Sequence, residues 1–305
     1  MDVPAEAPAL EPPATRVASR LGLAVAAAVA VLALVETGVA LIAPALAPTE
    51  ADWAAAAREV RAGFKPGDLI VAAPAWSDPI VRSHLGDLVP VPVATRFDDA
   101  RFGRVWEVSQ RGARATEATR GDVALERRFG ALTVRRVDRP AATVTYDFQD
   151  RFADARVSRR TPGQPDVVCP WEADRFQCPN IGHNFVRLQT VEVAQKLHRA
   201  MLAQPVAGGE VVIEFPAVSL GKELVVGTGL HDTWARKAAN GPVDLRVVVA
   251  GTPQAAVRTT NEGGWLVTRI DTAAHAGRTV AVQFIVSSTM PYQRQFSVAA
   301  EARSP

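Results

Sequence analysis

The stretch LGLAVAAAVAVLALVETGVALIAPAL, residues 21–46, contains a single charged residue, Glu36. At about 1.5 Å of rise per residue, an α-helix of this length crosses the roughly 30 Å hydrocarbon core of a bilayer. We therefore predict a transmembrane signal-anchor helix over residues 19–47. Glu36 falls near the outer third of this segment, from which an acidic side chain can reach the membrane interface.

The basic residues around this span predict its orientation. Arg16 and Arg20 precede it, and the next basic residue is Arg58. Because short flanks rich in Lys and Arg stay cytoplasmic, we predict a cytoplasmic N terminus and an extracytoplasmic remainder. Residues 1–18 are rich in Pro, Ala and Glu and are predicted to be a disordered cytoplasmic tail. The preference for Arg and Ala is typical of GC-rich bacterial genomes. Together with the predicted orientation, it predicts a bacterial inner-membrane protein with periplasmic domains.

A cleavable signal peptide is the alternative interpretation of the N-terminal segment. Small residues at 43–47 have the spacing of a cleavage site. The apolar run is nevertheless longer than the 7 to 15 or so residues usual for a signal-peptide core, which favours an anchor.

Composition indicates a folded protein beyond the span. The chain is 48% hydrophobic and 22% charged, and its net charge is only +2. Arginines are dense over residues 96–160, but acidic residues are interleaved with them, as on a solvated mixed-charge surface. This balance argues against nucleic acid as a partner.

Residues 49–139 are predicted to form a small α/β, Rossmann-like domain. Thr49 and Asp52 have the spacing of a capping box that opens a helix. A buried-type strand follows at 69–73, then a second short helix for which Asp78 is the expected N-cap. Further strands are predicted at 104–109 and 131–137.

This region resembles a known family. The fragments that carry the resemblance are ADWAAA (51–56), KPGDLIV (65–71), PAW (74–76), RVWEV (104–108) and RFGALTV (128–134). Over residues 49–138 the chain is similar to the soluble extracytoplasmic tail of bacterial family-39-type glycosyltransferases, which resemble protein mannosyltransferases and depend on polyprenyl-phosphate sugars. The resemblance implies an envelope location and a connection to surface glycans. It does not imply transferase activity, because the family's catalytic acidic residues lie in a multi-span membrane part.

Beyond Pro140 the apolar residues recur with a period of two. The alternating runs lie at 144–148, 211–215, 243–249, 280–286 and 296–300. Such runs, separated by turn residues, predict an antiparallel β-sandwich of jelly-roll type over 141–303, so the fold class is α+β. Only residues 191–202 suggest a helix there. Residues 224–232, residues 243–251 and the surroundings of Trp265 resemble carbohydrate-binding jelly-roll domains.

Cys169 and Cys178 are the two cysteines of the chain. In an oxidising periplasm, a pair this close is expected to form a disulfide. His183 lies nearby, but a zinc site needs more ligands at suitable spacing, so no metal is predicted.

Motifs that carry chemistry are absent from the sequence. It contains no Gly-x-Ser-x-Gly elbow, no His-Glu-x-x-His and no Gly-rich phosphate loop. We therefore predict no cofactor and assign no catalytic residue.

A ligand site is predicted from polar and aromatic residues in two loops of the sandwich. The candidates are His231, Asp232, Trp234, Arg236, Asn261 and Trp265. Aromatic faces, together with planar groups that hydrogen-bond adjacent hydroxyls, are suited to sugars. The competing interpretation is that a loop Trp plugs the edge of the core.

A second cleft is predicted at the C-terminal end of strand 69–73. Trp76, Asp78 and His84 could border it, since α/β sheets bind ligands at such ends. The competing interpretation makes Asp78 a helix cap and His84 a packing residue.

These observations predict a single-pass envelope protein that acts without catalysis as an accessory or glycan-recognition component. Its expected partners are the membrane, a glycan or glycolipid, and other envelope proteins. One alternative is a glycan-modifying enzyme, for which Asp232 and Glu262 are candidate carboxylates. Another is a protein-docking scaffold, which would carry an apolar patch.

Overall fold

The computed structural model describes residues 14–42, 47–179, 184–235, 241–292 and 294–304. The helices of these ranges are α1 Ala14–Ile42, α2 Glu50–Gly63, α3 Asp78–Leu85, α4 Val91–Ala94 and α5 Asp232–Ala235. The first group of strands is β1 Leu69–Ala73, β2 Arg104–Gln110, β3 Asp122–Phe129 and β4 Leu132–Asp138. The second group is β5 Thr143–Asp147, β6 Arg156–Arg160, β7 Val167–Cys169, β8 Trp171–Glu172, β9 Arg175–Gln177, β10 Phe185–Val193, β11 Lys196–Ala203, β12 Glu210–Ser219, β13 Glu223–Leu230, β14 Val243–Val249, β15 Thr252–Thr259, β16 Leu266–Asp271, β17 Thr279–Ser287 and β18 Phe296–Ser304.

Helix α1 contains the one segment of the described residues that is long and apolar enough to cross a membrane. Its Gly22–Leu41 segment has 20 residues and a mean hydropathy of 2.2, and none of it is buried. These properties suit a membrane anchor or a signal sequence. The helix begins at Ala14, inside the segment 1–18 that was predicted to be a disordered tail. Residues 1–13 of that tail and residues 43–46 of the predicted span lie outside the described residues.

The first four strands form one mixed sheet in the order β1-β2-β4-β3. Only β1 and β2 are parallel, whereas β4 pairs antiparallel with both β2 and β3. A Rossmann-like domain, whose sheet is mostly parallel, is therefore not what this unit shows. Strand β3 was not predicted, because it lies at the sheet edge and is largely exposed and charged, without an apolar pattern.

Helix α2 begins at the predicted capping box. The Asp52 amide donates to Thr49 Oγ1 at 3.2 Å, and the Thr49 amide donates to Asp52 Oδ2 at 2.9 Å, which completes the capping box. The helix ends at Gly63, where a Cβ would lie 2.6 Å from the Trp106 indole. That indole donates to the buried Asp68 carboxylate at 2.9 Å and anchors the helix end to the sheet.

The remaining strands form a sandwich of two antiparallel sheets, which confirms the predicted β-sandwich. The larger sheet has the order β16-β13-β18-β11-β10-β9-β8, with β5 also paired to β18, and the smaller has the order β15-β14-β17-β12-β6-β7. Most connections between β12 and β18 cross from one sheet to the other, as in a jelly roll. At the centre, Phe148 makes edge contacts with Phe215 and Phe284 at centroid distances of 4.9 and 5.1 Å. The domain bounds 49–139 and 141–303 remain a prediction.

The disulfide between Cys169 and Cys178 is confirmed. Cys169 ends β7, the edge strand of the smaller sheet, and Cys178 follows β9 near the edge of the larger sheet. The covalent link therefore ties the two sheets together along one side of the sandwich.

The helix expected over residues 191–202 is wrong. This segment forms the end of β10, a two-residue turn and most of β11, which pair antiparallel from Val186–Ala203 to Val193–Lys196. The turn residues are Ala194 and Gln195. They lack the Asn-Gly or Asp-Gly pair that predicts a two-residue hairpin turn. Without that signal, the apolar residues on either side of the turn resemble the apolar face of a helix.

The mixed sheet and the sandwich meet on the outer face of the larger sheet. Phe97, from the loop after α4, packs there with Val225 and Ala299. The backbone amide of Arg199 in β11 donates to the Thr95 carbonyl at 2.7 Å. Hydrophobic packing and backbone pairing thus hold the loop against the sandwich.

A buried ionic cluster centred on Arg303 completes this junction. The Arg303 guanidinium donates twice to Asp98 at 2.7 Å and once to Glu301 at 2.8 Å, and Arg303 is 0% exposed. Burial alone would raise the pKa of Asp98, but the hydrogen bonds and charge of Arg303 bring it below its ordinary value. Burial raises the pKa of Glu301, an effect that Arg303 and Arg101 oppose.

Candidate functional site

A depression of about 370 Å³ opens at one end of the sandwich. Three segments line it: the turn between β10 and β11, the end of β13, and the loop between β15 and β16. The lining residues are Val193, Ala194, Gln195, Leu230, Asp232, Thr260, Asn261, Glu262 and Gly264. Two of the predicted site residues, Asp232 and Asn261, therefore lie in one depression, together with the carboxylate candidate Glu262.

Asp232 fixes the wall that the hairpin turn provides. Its Oδ1 accepts a hydrogen bond from the Ala194 amide at 2.7 Å, and its Oδ2 accepts one from the Gln195 amide at 2.9 Å. Both turn residues have positive φ, 51° and 62°, which is the type I′ geometry that favours Asn and Gly. The charged acceptor offsets the cost of this backbone conformation.

Asn261 is held from behind by a buried arginine. Its Oδ1 accepts a hydrogen bond from Arg294 Nη1 at 2.6 Å, and Arg294 is 1% exposed. Burial lowers the pKa of Arg294. This contact fixes the plane of the Asn261 amide, so that its Nδ2 end is the donor that the group can present to a ligand.

The other polar groups of the depression are at the surface. Thr260 and Glu262 are exposed, and Gln195 lies at the tip of the hairpin. Hydroxyl, carboxylate and amide groups together offer donors and acceptors to several adjacent hydroxyls of a ligand. The arrangement is thus suited to a neutral polyhydroxylated molecule.

Trp265 packs against the sheet instead of offering an open face. Its indole stacks on His198, with centroids 4.0 Å apart and planes at 6°. It also covers Gly227 and Gly229, where a Cβ would lie 2.6 Å from the Trp265 ring and from Val193 respectively. Glycine at these two positions allows the ring to lie directly on the backbone. These contacts are what the competing packing interpretation expects, and a ligand-binding role for Trp265 stays a prediction.

His231 does not line the depression. The His231 Nδ1 accepts a hydrogen bond from the Thr233 amide at 3.2 Å, so this side chain organises the start of α5. Trp234 belongs to α5, but its side chain lies outside the described residues, and so does the whole of Arg236.

The three residues of the predicted second cleft lie in separate environments. Trp76 is 62% exposed. Asp78 is the first residue of α3 and not its N-cap, which is Ser77, and its carboxylate pairs with Arg82 one turn later. The His84 side chain is 17% exposed and stacks on Trp53 at 6.2 Å, as the packing interpretation expects.

Sequence reasoning missed two groups of residues. The hairpin turn that lines the depression, with Gln195, was not predicted, because residues 191–202 were expected to form a helix. Trp171 was also missed, although it is 47% exposed and follows Cys169 by two positions. An aromatic residue inside a short cysteine loop is the signal that could have pointed to it.

Among the residues that the structure describes, no cluster of three or more His, Cys, Asp or Glu side chains could hold a metal ion.

No model of a known protein family and no curated protein matches the chain. The resemblance of residues 49–138 to glycosyltransferase tails therefore gains no support. Solved structures similar to parts of the chain include carbohydrate-binding modules.

A CBM51 of Clostridium perfringens GH95 in complex with methyl-galactose is 10% identical at a TM-score of 0.29, covering 38% of this chain and 81% of that one. The mannan-recognising module TmCBM27 is 11% identical at 0.29, covering 54% and 98%. The CBM51-2 and INT domains of Clostridium perfringens ZmpB are 11% identical at 0.30, covering 48% and 32%. Matches this distant carry no argument about the function of this chain.

Replacing the turn residues by the pair that type I′ geometry favours is expected to stabilise the protein. The double variant Ala194→Asn, Gln195→Gly should raise the free energy of unfolding by about 1 kcal/mol, because non-glycine residues in the left-handed region cost about 1 to 2 kcal/mol each. Guanidinium denaturation of the full chain in detergent micelles measures this. Asp232→Ala removes the acceptors of both turn amides and should lower the free energy of unfolding. An unchanged or lower value in the Asn-Gly variant would contradict the assigned turn.

His198 is expected to make stability depend on pH. Burial lowers the pKa of His198 to about 4, whereas the unfolded chain takes up this proton near the ordinary value of 6.5. Stability should therefore fall as pH drops from 6.5 towards 4, by at most about 1.4 kcal/mol per pH unit from this group. His198→Phe retains a ring against Trp265 and should abolish this component. Parallel pH profiles of the free energy of unfolding for the two proteins would refute the assignment.

Proposed function

We propose that the chain is a membrane-anchored, extracytoplasmic glycan-recognition protein that binds sugar in the depression at the end of its sandwich. The observation that carries this proposal is the arrangement of Asp232, Asn261, Glu262, Gln195 and Thr260 around one opening of about 370 Å³. The amides of the hairpin turn hold Asp232 in place, and Arg294 holds Asn261 in place, before any ligand binds. Because these groups are already ordered, the entropic cost of binding is lower.

The location of the protein is part of the same proposal. Helix α1 supplies the anchor, and Arg16 and Arg20 at its N-terminal side favour a cytoplasmic N terminus. The Cys169–Cys178 disulfide suits the oxidising side of a bacterial inner membrane. The recognition surface would then face the periplasm, where surface glycans and glycolipids are accessible.

A glycan-modifying enzyme is the less supported function. Asp232 and Glu262 share the depression, but both oxygens of Asp232 accept hydrogen bonds from backbone amides. That carboxylate is committed to the hairpin turn, and a proton-transfer role would have to disrupt the wall of the site. Recognition requires no such change.

The proposal is tested by glycan-array binding of the full chain in lipid nanodiscs. Wild-type protein is expected to bind a subset of the oligosaccharides. Thr260→Ala and Glu262→Ala should each weaken binding about tenfold, since each removes a hydrogen-bonding group from the rim and each tenfold is about 1.4 kcal/mol.

Asp122→Ala provides the control, because Asp122 is an exposed carboxylate on β3, outside the sandwich. It should leave binding unchanged. A folded wild-type protein that binds no oligosaccharide would refute glycan recognition. Binding that survives in both rim variants would refute the depression as its location.

A further inference from the structure

Trp171 is a half-exposed aromatic ring that packs against two other rings. It is 47% exposed. Its ring centroid lies 4.9 Å from that of Phe176 at 78°, and 5.8 Å from that of Phe152 at 62°. Both are edge-type contacts, and both phenylalanines are buried. The indole thus packs against the core, while nearly half of the Trp171 surface is exposed to solvent.

The backbone that carries Trp171 is constrained as well. Trp171 begins β8, the edge strand of the larger sheet, and pairs with Phe176 across the β8–β9 hairpin. The Cys169–Cys178 disulfide closes the loop around this hairpin and joins the edges of the two sheets. A ring mounted in this way loses little conformational freedom when a ligand stacks on it.

The size of the exposed surface suits a sugar ring better than a protein. An aromatic side chain has about 150 to 250 Å² of surface, so 47% exposure leaves on the order of 100 Å². A standard protein interface buries about 800 Å² on each partner. Val168 and Pro170, which precede Trp171 in the chain, are also exposed. The exposed apolar area around the indole is therefore small.

We propose that Trp171 is the stacking platform of a second sugar-binding site, separate from the depression, which takes the apolar C–H face of a pyranose ring. This inference rests on the proposed glycan recognition and adds the class of ligand, namely sugars whose equatorial hydroxyls leave such a face open. The indole supplies the stacking surface.

The test uses the full chain in lipid nanodiscs on an array of immobilised glucose, galactose, mannose and N-acetylglucosamine oligosaccharides. Trp171→Ala should weaken binding about tenfold, and Trp171→Phe, which retains a smaller ring, about threefold. Val123→Ala is the control, because Val123 is an apolar side chain that is 50% exposed on β3, outside the sandwich. It should bind as the wild type does. The thermal midpoint shows that each variant is folded, and if Trp171→Ala fails to fold, Trp171→Phe decides.

The outcomes separate the platform from the proposed function. Full binding by the Trp171 variants, with loss in Glu262→Ala, would overturn the platform and leave glycan recognition in place. Equal losses in the Trp171 and Val123 variants would also overturn it, since any exposed apolar side chain would then serve. A folded wild-type protein that binds nothing on the array would overturn both.

Discussion

Arg303 is a fully buried cation. The packing of the mixed sheet against the sandwich depends on how its charge is compensated. Asp98, from the loop after α4, and Glu301, two residues away on β18, both accept its hydrogen bonds. A charge of this kind is very costly without partners, and loss of one partner typically costs about 3 to 5 kcal/mol. The mixed sheet must therefore bring Asp98 to the sandwich for β18 to tolerate Arg303. Phe97 lies beside this pair, 5.2 Å from the guanidinium, and seals it from water.

This junction limits which surfaces of the sandwich are open to solvent. The outer face of the larger sheet is partly covered by Phe97 and by Trp265 stacked on His198. Both proposed sites therefore lie elsewhere: the depression beside Asp232 lies at an end of the sandwich, and Trp171 lies at an edge. In both proposed sites, side chains that make structural contacts also hold the exposed groups in place.

Local signals in the sequence predicted the capping box at Thr49, the strand at 69–73, the sandwich and the disulfide, because each depends on neighbouring residues or on a simple period. The mixed topology of the first sheet could not be predicted, since exposed β3 has no apolar pattern. Asp232 and Asn261 were predicted to share a site from their residue types and their positions in two predicted loops, and both line the depression. The hairpin turn at Ala194 was missed because its conformation is imposed by Asp232, a residue distant in sequence.

A double-mutant cycle across the junction tests this account most directly. Asp98→Ala and Arg303→Met are made alone and together, and the free energy of unfolding of the full chain is measured in detergent micelles. The account predicts that each single variant loses about 3 kcal/mol or more and that the two changes interact by about 2 to 3 kcal/mol, because they remove one buried pair. Losses that add to within about 0.5 kcal/mol would show that the two residues act independently and would contradict the account.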